Sequence, residues 1–207
     1  MASSEQNSIS TSTCLVPYLD LNSSSGTAAA LRGMPFRRNI FLLLGHSQGV
    51  FPPLMGVYMA LFKGETRTLP LLDWQLVVLR IAALLDAEYE WDVNAPVAEV
   101  HGMGEERLEA VKAASDLIQD DQSAEGKVFD DRERVIIKIV DEQIATYNNV
   151  PATIEKARKL LSVEELVEIY IVLGVYTLIA RITKGLHIDL DGEIPNLREH
   201  IRTGVTK

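Results

Sequence analysis

The chain has 207 residues, of which 47% are hydrophobic and 24% charged, a length and composition typical of one compact domain. Its net charge of −9 at pH 7 argues against binding to nucleic acid or to an anionic membrane, because such surfaces are bound through clustered Lys and Arg. The single cysteine, Cys14, excludes an intramolecular disulfide and is typical of a reducing compartment. We therefore expect a cytoplasmic protein whose partners are small molecules or other proteins.

The two ends of the chain predict little regular structure. Residues 1–13 are mostly polar and lack the basic stretch and apolar run of a secretory signal, and residues 23–33 are rich in Ser and Gly. We expect an irregular lead over residues 1–33, one helical domain over residues 34–187, and a tail over residues 188–207 with at most one short turn of helix.

Apolar periodicity and helix-boundary residues predict eight helices between these ends, and no segment alternates with the period of a strand. Their predicted ranges are 38–47, 54–63, 71–86, 88–101, 105–115, 130–148, 151–160 and about 163–184. The helix over 71–86 is apolar almost all round, which predicts burial in the middle of a bundle. The apolar run 169–180 is shorter than the ~20 residues of a membrane span, so we interpret it as a buried helix. The predicted fold class is all-α.

The block 71–102, LLDWQLVVLRIAALLDAEYEWDVNAPVAEVHG, resembles the signature region of carboxymuconolactone decarboxylase-like proteins. In that region an apolar helix with an Arg leads to Tyr-Glu-Trp and then to a His, Ala and Gly. Shorter stretches at 39–41 with 46–47, and at 174–176 with 180–181, are similar to two further parts of the family. Together they span about residues 35–186. The resemblance implies an alkylhydroperoxidase D-like helical bundle that forms a homo-oligomer.

The peroxidase branch of this family has a Glu, then Cys-x-x-Cys twelve residues later, then a His four residues further on. The matching positions of this chain hold Gln75, Ala87, Glu90 and Asn94. Thiol peroxidase chemistry needs a thiolate nucleophile and a resolving thiol, so it is not expected here. The non-redox branch keeps Glu-Trp and has a His where this chain has Asn94. Because Asn transfers no proton near neutral pH, the resemblance does not carry plain γ-carboxymuconolactone decarboxylation over unchanged.

Glu90 and Asn94 are the principal candidates for a site. On a helix, Ala87, Glu90, Trp91 and Asn94 fall within an arc of roughly 100°, so Glu90 and Asn94 are expected to share one pocket. In the functional interpretation, an apolar pocket raises the pKa of Glu90, which acts as an acid or base while Asn94 orients a carbonyl or carboxylate. The alternative is a buried polar pair that fixes helix packing.

Five further residues are weaker candidates. His46 matches a family His and is either catalytic or a cap on its own helix. Tyr176 either presents its hydroxyl to the pocket or is a core aromatic, and Arg80 either pairs with a carboxylate across the bundle or binds a substrate carboxylate. Trp91 and Gln75 complete the substrate-binding candidates. The sequence has no metal-ligand spacing and no nucleotide-binding loop, so we expect neither a metal nor an organic cofactor.

Two functional hypotheses follow. The first is a cofactor-free lyase, isomerase or cyclase of secondary metabolism, which acts on a small carboxylated or lactone-like molecule by proton transfer or by shape-directed ring formation. The second is a catalytically silent binding or scaffold protein that retains the fold. An apolar cavity of roughly a few hundred cubic ångströms beside Glu90 would favour the enzyme, whereas a pocket filled by Trp91 and Tyr176 would favour the scaffold.

The purified protein is expected to show no dithiol-dependent peroxidase activity, because Cys14 is the only thiol in the sequence. Consumption of an organic hydroperoxide with dithiothreitol as reductant measures this directly. Turnover that Cys14→Ser abolishes would contradict the prediction.

Overall fold

The computed structural model describes residues 12–34, 37–113 and 128–204. These residues contain helices and no strand, so the predicted all-α class is confirmed. The helices are α1 Gly26–Arg32, α2 Asn39–Leu44, α3 Phe51–Phe62, α4 Leu71–Leu84, α5 Glu88–Val100, α6 Glu105–Val111, α7 Asp131–Thr146, α8 Pro151–Leu160, α9 Val163–Gly185 and α10 Leu197–Gly204. Residues 1–11 of the predicted lead, 114–115 of a predicted helix and 205–207 of the predicted tail lie outside the described residues.

Helix α4 lies at the centre of the bundle. Every residue from Asp73 to Ala82 is buried, and the helix packs against α5, α7 and α9. Its almost continuous apolar surface predicted this position, since each fully buried Leu or Ile stabilises the fold by about 1.5–3 kcal/mol relative to an exposed one.

Arg80 is buried in α4 and links this helix to α6 and α7 by hydrogen bonds. Its Nε donates to Oδ1 of Asp141 in α7 at 2.6 Å, and its Nη1 donates to the carbonyl oxygens of Val111 at 2.5 Å and Ala113 at 2.7 Å. Of the two roles predicted for Arg80, the pairing with a carboxylate is the one that the structure contains. Its predicted substrate-binding role is not supported, because these bonds direct the guanidinium toward α6 and α7.

Two helix starts carry reciprocal caps. The side chain of Ser162 accepts from the backbone N–H of Glu165 at the start of α9, and Asp130 accepts from Glu133 at the start of α7. Helix α5 has no side-chain cap of this kind. Asp86 before it has a φ of +50°, a left-handed conformation that Asp tolerates, and belongs to the turn that ends α4.

The N-terminal lead contains more structure than its composition predicts. Helix α1 lies inside the predicted irregular range 1–33, and the Ser25 hydroxyl accepts from the N–H of Ala28 at its start. Leu31 of α1 then packs against Phe51 and Met55. The Ser cap and the three alanines that follow it indicate a helix, but the Ser- and Gly-rich composition of the segment favoured a loop.

Two other predicted boundaries are wrong. Helix α3 begins at Phe51 rather than at residue 54, because Pro52 and Pro53 occupy its first turn, where no N–H donor is required. The tail, in which we expected at most one short turn of helix, contains the longer helix α10, which has eight residues and buries Ile201.

Helix α9 is long and apolar enough to cross a membrane by length and composition alone, with a mean hydropathy of 1.7 in its most apolar window. It is the one such helix in the described residues. Its inner side, which includes Val172, Tyr176 and Ala180, is buried and packs in the bundle, as in the core helix of a soluble domain. Its outer side carries the exposed apolar residues Val163, Val167, Ile171 and Leu178.

Candidate active site

A small cavity of about 30 Å³ lies between α2, α3, α5 and α9. Aromatic and aliphatic side chains make most of its wall, and a few polar groups converge on it. The lining residues are Arg38, Ile40, Phe41, Tyr58, Phe62, Tyr89, Glu90, Val93, Asn94, Tyr176 and Ile179.

Glu90 is the most unusual polar group of this cavity. It lies on the inner face of α5, it is 1% exposed, and neither carboxyl oxygen has a hydrogen-bond partner among the described residues. Burial away from water raises the pKa of Glu90 from its usual 4.5 to about 8. The protonated carboxyl therefore predominates at pH 7, and both of its forms are accessible near neutral pH.

Asn94 lies one helical turn after Glu90 on the same cavity. Its Nδ2 donates to the backbone carbonyl oxygen of Glu90 at 2.8 Å, and its Oδ1 has no partner among the described residues. The bond to its own helix fixes the orientation of the amide. Asn94 thus offers the cavity an acceptor through Oδ1, and its amide keeps a second N–H for the donor role predicted from the sequence.

Tyr58 and Tyr176 supply phenol groups to the opposite wall. Their ring centroids are 5.9 Å apart, and their hydroxyls lie in the interior close to each other. Burial raises the pKa of both hydroxyls, and the charge of Glu90 shifts them in the same direction. Both therefore stay protonated at neutral pH and can donate hydrogen bonds. Tyr176 was a sequence candidate, and Tyr58 was missed because no motif marks it.

A polar network forms another side of the cavity, where the C-terminal tail crosses the start of α2. Arg38 Nη1 lies 2.8 Å from Asp191 Oδ2, the Tyr89 hydroxyl donates to the same carboxylate at 2.9 Å, and the Asn39 N–H donates to it at 2.7 Å. The Ile40 N–H in turn donates to the Tyr89 hydroxyl at 3.2 Å. Sequence reasoning missed this network, although Arg38 adjoins the matched stretch 39–41 and Tyr89 is the first residue of the matched Tyr-Glu-Trp.

Four predicted site residues lie outside the cavity: Arg80, described above, and His46, Gln75 and Trp91. His46 is exposed, and its Nε2 lies 2.9 Å from the carbonyl oxygen of Pro17, so its contact is with the N-terminal segment. Since α2 ends at Leu44, His46 neither lines the cavity nor caps that helix. Gln75 is fully buried in α4 and does not line the cavity either.

Trp91 is half-buried on another side of α5. It packs near Ala87 and Ala180, and the Lys112 ammonium lies 4.5 Å from its ring centroid. The cavity is narrowed by Tyr58 and Tyr176 rather than filled by Trp91. Within residues 12–34, 37–113 and 128–204, no three His, Cys, Asp or Glu side chains are grouped so that they could hold a metal ion.

Solved structures with the same arrangement of helices identify the fold. A peroxidase-related protein from Silicibacter superposes with a TM-score of 0.69 at 10% identity, over 89% of this chain and 95% of its own. The chain has the AhpD-like fold. An alkylhydroperoxidase AhpD core protein from Ralstonia eutropha gives a TM-score of 0.67 at 15% identity, over 86% of this chain and 92% of its own.

A third structure, a protein of unknown function from Agrobacterium tumefaciens whose name suggests an AhpD antioxidant defence protein, gives 0.57 at 20% identity over 70% of this chain and 92% of its own. The predicted alkylhydroperoxidase D-like bundle is therefore confirmed. No protein-family model matches the sequence, and no curated protein matches it. At these identities the likeness is one of fold.

The pKa of Glu90 predicts a pH-dependent stability. Between about pH 4.5 and pH 8 the folded protein holds the Glu90 proton, which the unfolded chain has released. The contribution of protonated Glu90 to the free energy of unfolding is therefore complete below pH 4.5, and it is lost as the pH rises through 8. Glu90→Gln removes the effect. We expect the variant to match the wild type in urea unfolding at pH 4.5 and to be more stable by ~3–5 kcal/mol at pH 8.5. A stability difference that stays constant with pH would contradict this assignment.

Proposed function

We propose that this protein is a cofactor-free lyase or isomerase that moves a proton on a small carboxylated or lactone-like substrate, with Glu90 as the group that gives or takes the proton. The observation that carries the proposal is the buried Glu90 carboxyl, which lines a cavity and has no partner among the described residues. Such a group costs folding free energy, and perturbed carboxyls in cavities are concentrated at functional sites.

The neighbouring groups suit this chemistry. In an isomerisation, the Glu90 carboxylate removes a proton from a carbon next to a carbonyl, and the resulting acid returns it to another carbon of the same molecule. In a decarboxylation, the bond to the departing CO₂ breaks and the Glu90 acid protonates the carbon that keeps the electron pair. In both cases the hydroxyl proton that the Tyr58–Tyr176 pair does not use between its two members is a donor for the negative charge that develops on the carbonyl oxygen.

Two alternatives remain. Shape-directed ring formation would use the same walls and phenol donors without a proton transfer by Glu90. A silent binding or scaffold role is favoured by the size of the cavity, since about 30 Å³ is the space of one water molecule whereas ligand pockets start near ~300 Å³. The enzyme proposal therefore requires that part of the wall move.

Self-association is the second part of the proposal. The outer side of α9 presents Val163, Val167, Ile171 and Leu178 to solvent, at 39–65% exposure. These residues recur at helical spacing and form one apolar stripe, with Gly174 between them. A second copy of this chain, packed through the same stripe, would bury it symmetrically.

Glu90→Gln should lose activity by ~100 to 10,000-fold, the cost of removing a positioned acid or base, while it keeps the helical circular dichroism spectrum. Turnover is measured on the first substrate found in a panel of small carboxylated and lactone compounds. Glu88→Gln is the matched control, because Glu88 is exposed on another side of the same helix, two residues before Glu90, and should lose far less. Full turnover by Glu90→Gln would instead favour shape-directed cyclisation, and its unfolding would identify Glu90 as a structural group.

Ile171→Glu should convert the oligomer to a monomer, because it places a charge in the middle of the α9 stripe. Light scattering coupled to size-exclusion chromatography at micromolar concentration measures the mass. Val57→Glu, at a similarly exposed apolar position on α3, is the control and should leave the mass unchanged. A wild-type protein of monomer mass would overturn this part of the proposal.

A further inference from the structure

The C-terminal tail places a carboxylate in a cradle of three donors. Asp191 accepts from the Arg38 guanidinium at 2.8 Å, from the Tyr89 hydroxyl at 2.9 and 3.0 Å, and from the Asn39 N–H at 2.7 Å. The Arg38 and Asp191 side chains are only 10% and 6% exposed. A buried guanidinium and a hydroxyl that converge on one point are the donor set that binds a carboxylate tightly.

This cradle adjoins the cavity of Glu90. Arg38 and Tyr89 line that cavity, whereas Asp191 does not, so the two donors lie between the cavity and the tail. Tyr89 also directly precedes Glu90 on α5. A carboxylate that entered from the cavity would meet the same donors that Asp191 uses from the other side.

Polar contacts hold residues 189–191 of the tail, whereas Ile188 before them packs beside Tyr89 and α10 after them buries Ile201. Asp189 accepts from the Thr13 N–H at 2.7 Å and from the Tyr18 hydroxyl at 2.9 Å, and the Asn39 side chain donates to the carbonyl oxygen of Asp189 at 3.0 Å. Leu190 is 43% exposed. Contacts of this kind exchange with water or with another anion more easily than buried apolar contacts do.

The tail also borders a second space. A groove of about 180 Å³ lies beside Ile188 and Leu190, and Tyr89 is the residue that it shares with the Glu90 cavity. Movement of the tail together with the Tyr89 ring would join the groove to the cavity. The joined space would be larger than the closed cavity and could hold a larger molecule.

We propose that Arg38, Tyr89 and the Asn39 N–H form the binding site for the carboxylate of the substrate, and that Asp191 occupies this site in the resting protein and is exchanged for the substrate when the tail moves. The proposal rests on the function proposed above. It assigns the substrate class, a small monocarboxylate, and it makes the tail an internal competitor for the site.

Equilibrium binding of benzoate, measured by isothermal titration calorimetry, tests the exchange without an activity assay. Asp191→Ala should bind benzoate roughly tenfold or more tightly than the wild type, because a competitor in the same chain reduces apparent affinity by the fraction of sites it occupies. Glu193→Ala is the matched control, since it removes an exposed negative charge of the same tail, and it should bind like the wild type. Benzamide, which lacks the charge, should show no gain.

Arg38→Gln in the Asp191→Ala background should abolish the gain, because it removes the cation of the cradle. Asp191→Asn, which keeps the shape of the side chain, is the second variant and should give a gain in the same direction. The proposal is overturned if folded Asp191→Ala binds benzoate no better than Glu193→Ala, or if both Asp191 variants unfold, since Asp191 would then be a structural clamp.

Failure of this proposal and failure of the proposed function are distinguishable. Glu90→Gln combined with Asp191→Ala should keep the gain in benzoate binding, since Glu90 is not part of the cradle. If the Asp191 variants bind benzoate no more tightly than the wild type but Glu90→Gln still loses activity, the exchange alone is contradicted. If the Asp191 variants bind benzoate more tightly but Glu90→Gln keeps full activity, the proton-transfer function alone is contradicted.

Discussion

Helix α4 is enclosed by α5, α7 and α9, and the position of the site follows from this enclosure. The chain leaves α4 through the short turn at Leu85 and Asp86 and enters α5 at once, so α5 must lie against α4. The side of α5 that carries Glu90 and Asn94 faces the cavity between α5, α2, α3 and α9. Burial raises the pKa of Glu90, so its acidity follows from helix packing.

The sequence predicted the parts of the fold that local periodicity encodes. The starts of α4, α5, α6 and α8 agree with the predicted ranges, because Pro, Gly and apolar spacing mark them. Helix α1 has seven residues and α10 eight, which is too short for a periodic pattern to emerge from a polar composition. The range predicted for α3 begins three residues late, because a proline pair usually breaks a helix, whereas Pro52 and Pro53 fit the first turn of this one.

Only the part of the candidate site that lies on a single helix could be predicted from the sequence. Glu90 and Asn94 are four residues apart on α5, so helical geometry alone placed them on one face. Arg38 and Asp191 are separated by 153 positions, and their meeting depends on how the tail returns across α2, which no local pattern encodes. His46 failed as a cavity residue for the same reason: a family match gives its position in the chain, while the end of α2 at Leu44 decides where the side chain points.

The pairing of Arg38 with Asp191 also bears on the proton of Glu90. All three groups lie at or beside one cavity with little water, where charges interact strongly. Without the negative charge of Asp191, the Arg38 cation beside the cavity would favour the Glu90 carboxylate and lower the pKa of Glu90, so we expect Asp191 to help keep that pKa raised. A substrate carboxylate that replaces Asp191 brings the same negative charge to Arg38, so the pKa of Glu90 stays raised. A substrate carboxylate bound beside Asp191 would instead add an uncompensated negative charge, which costs several kcal/mol in such a site. Electrostatics therefore favours exchange of the two carboxylates over their joint binding, and the tail has to leave for the substrate to enter.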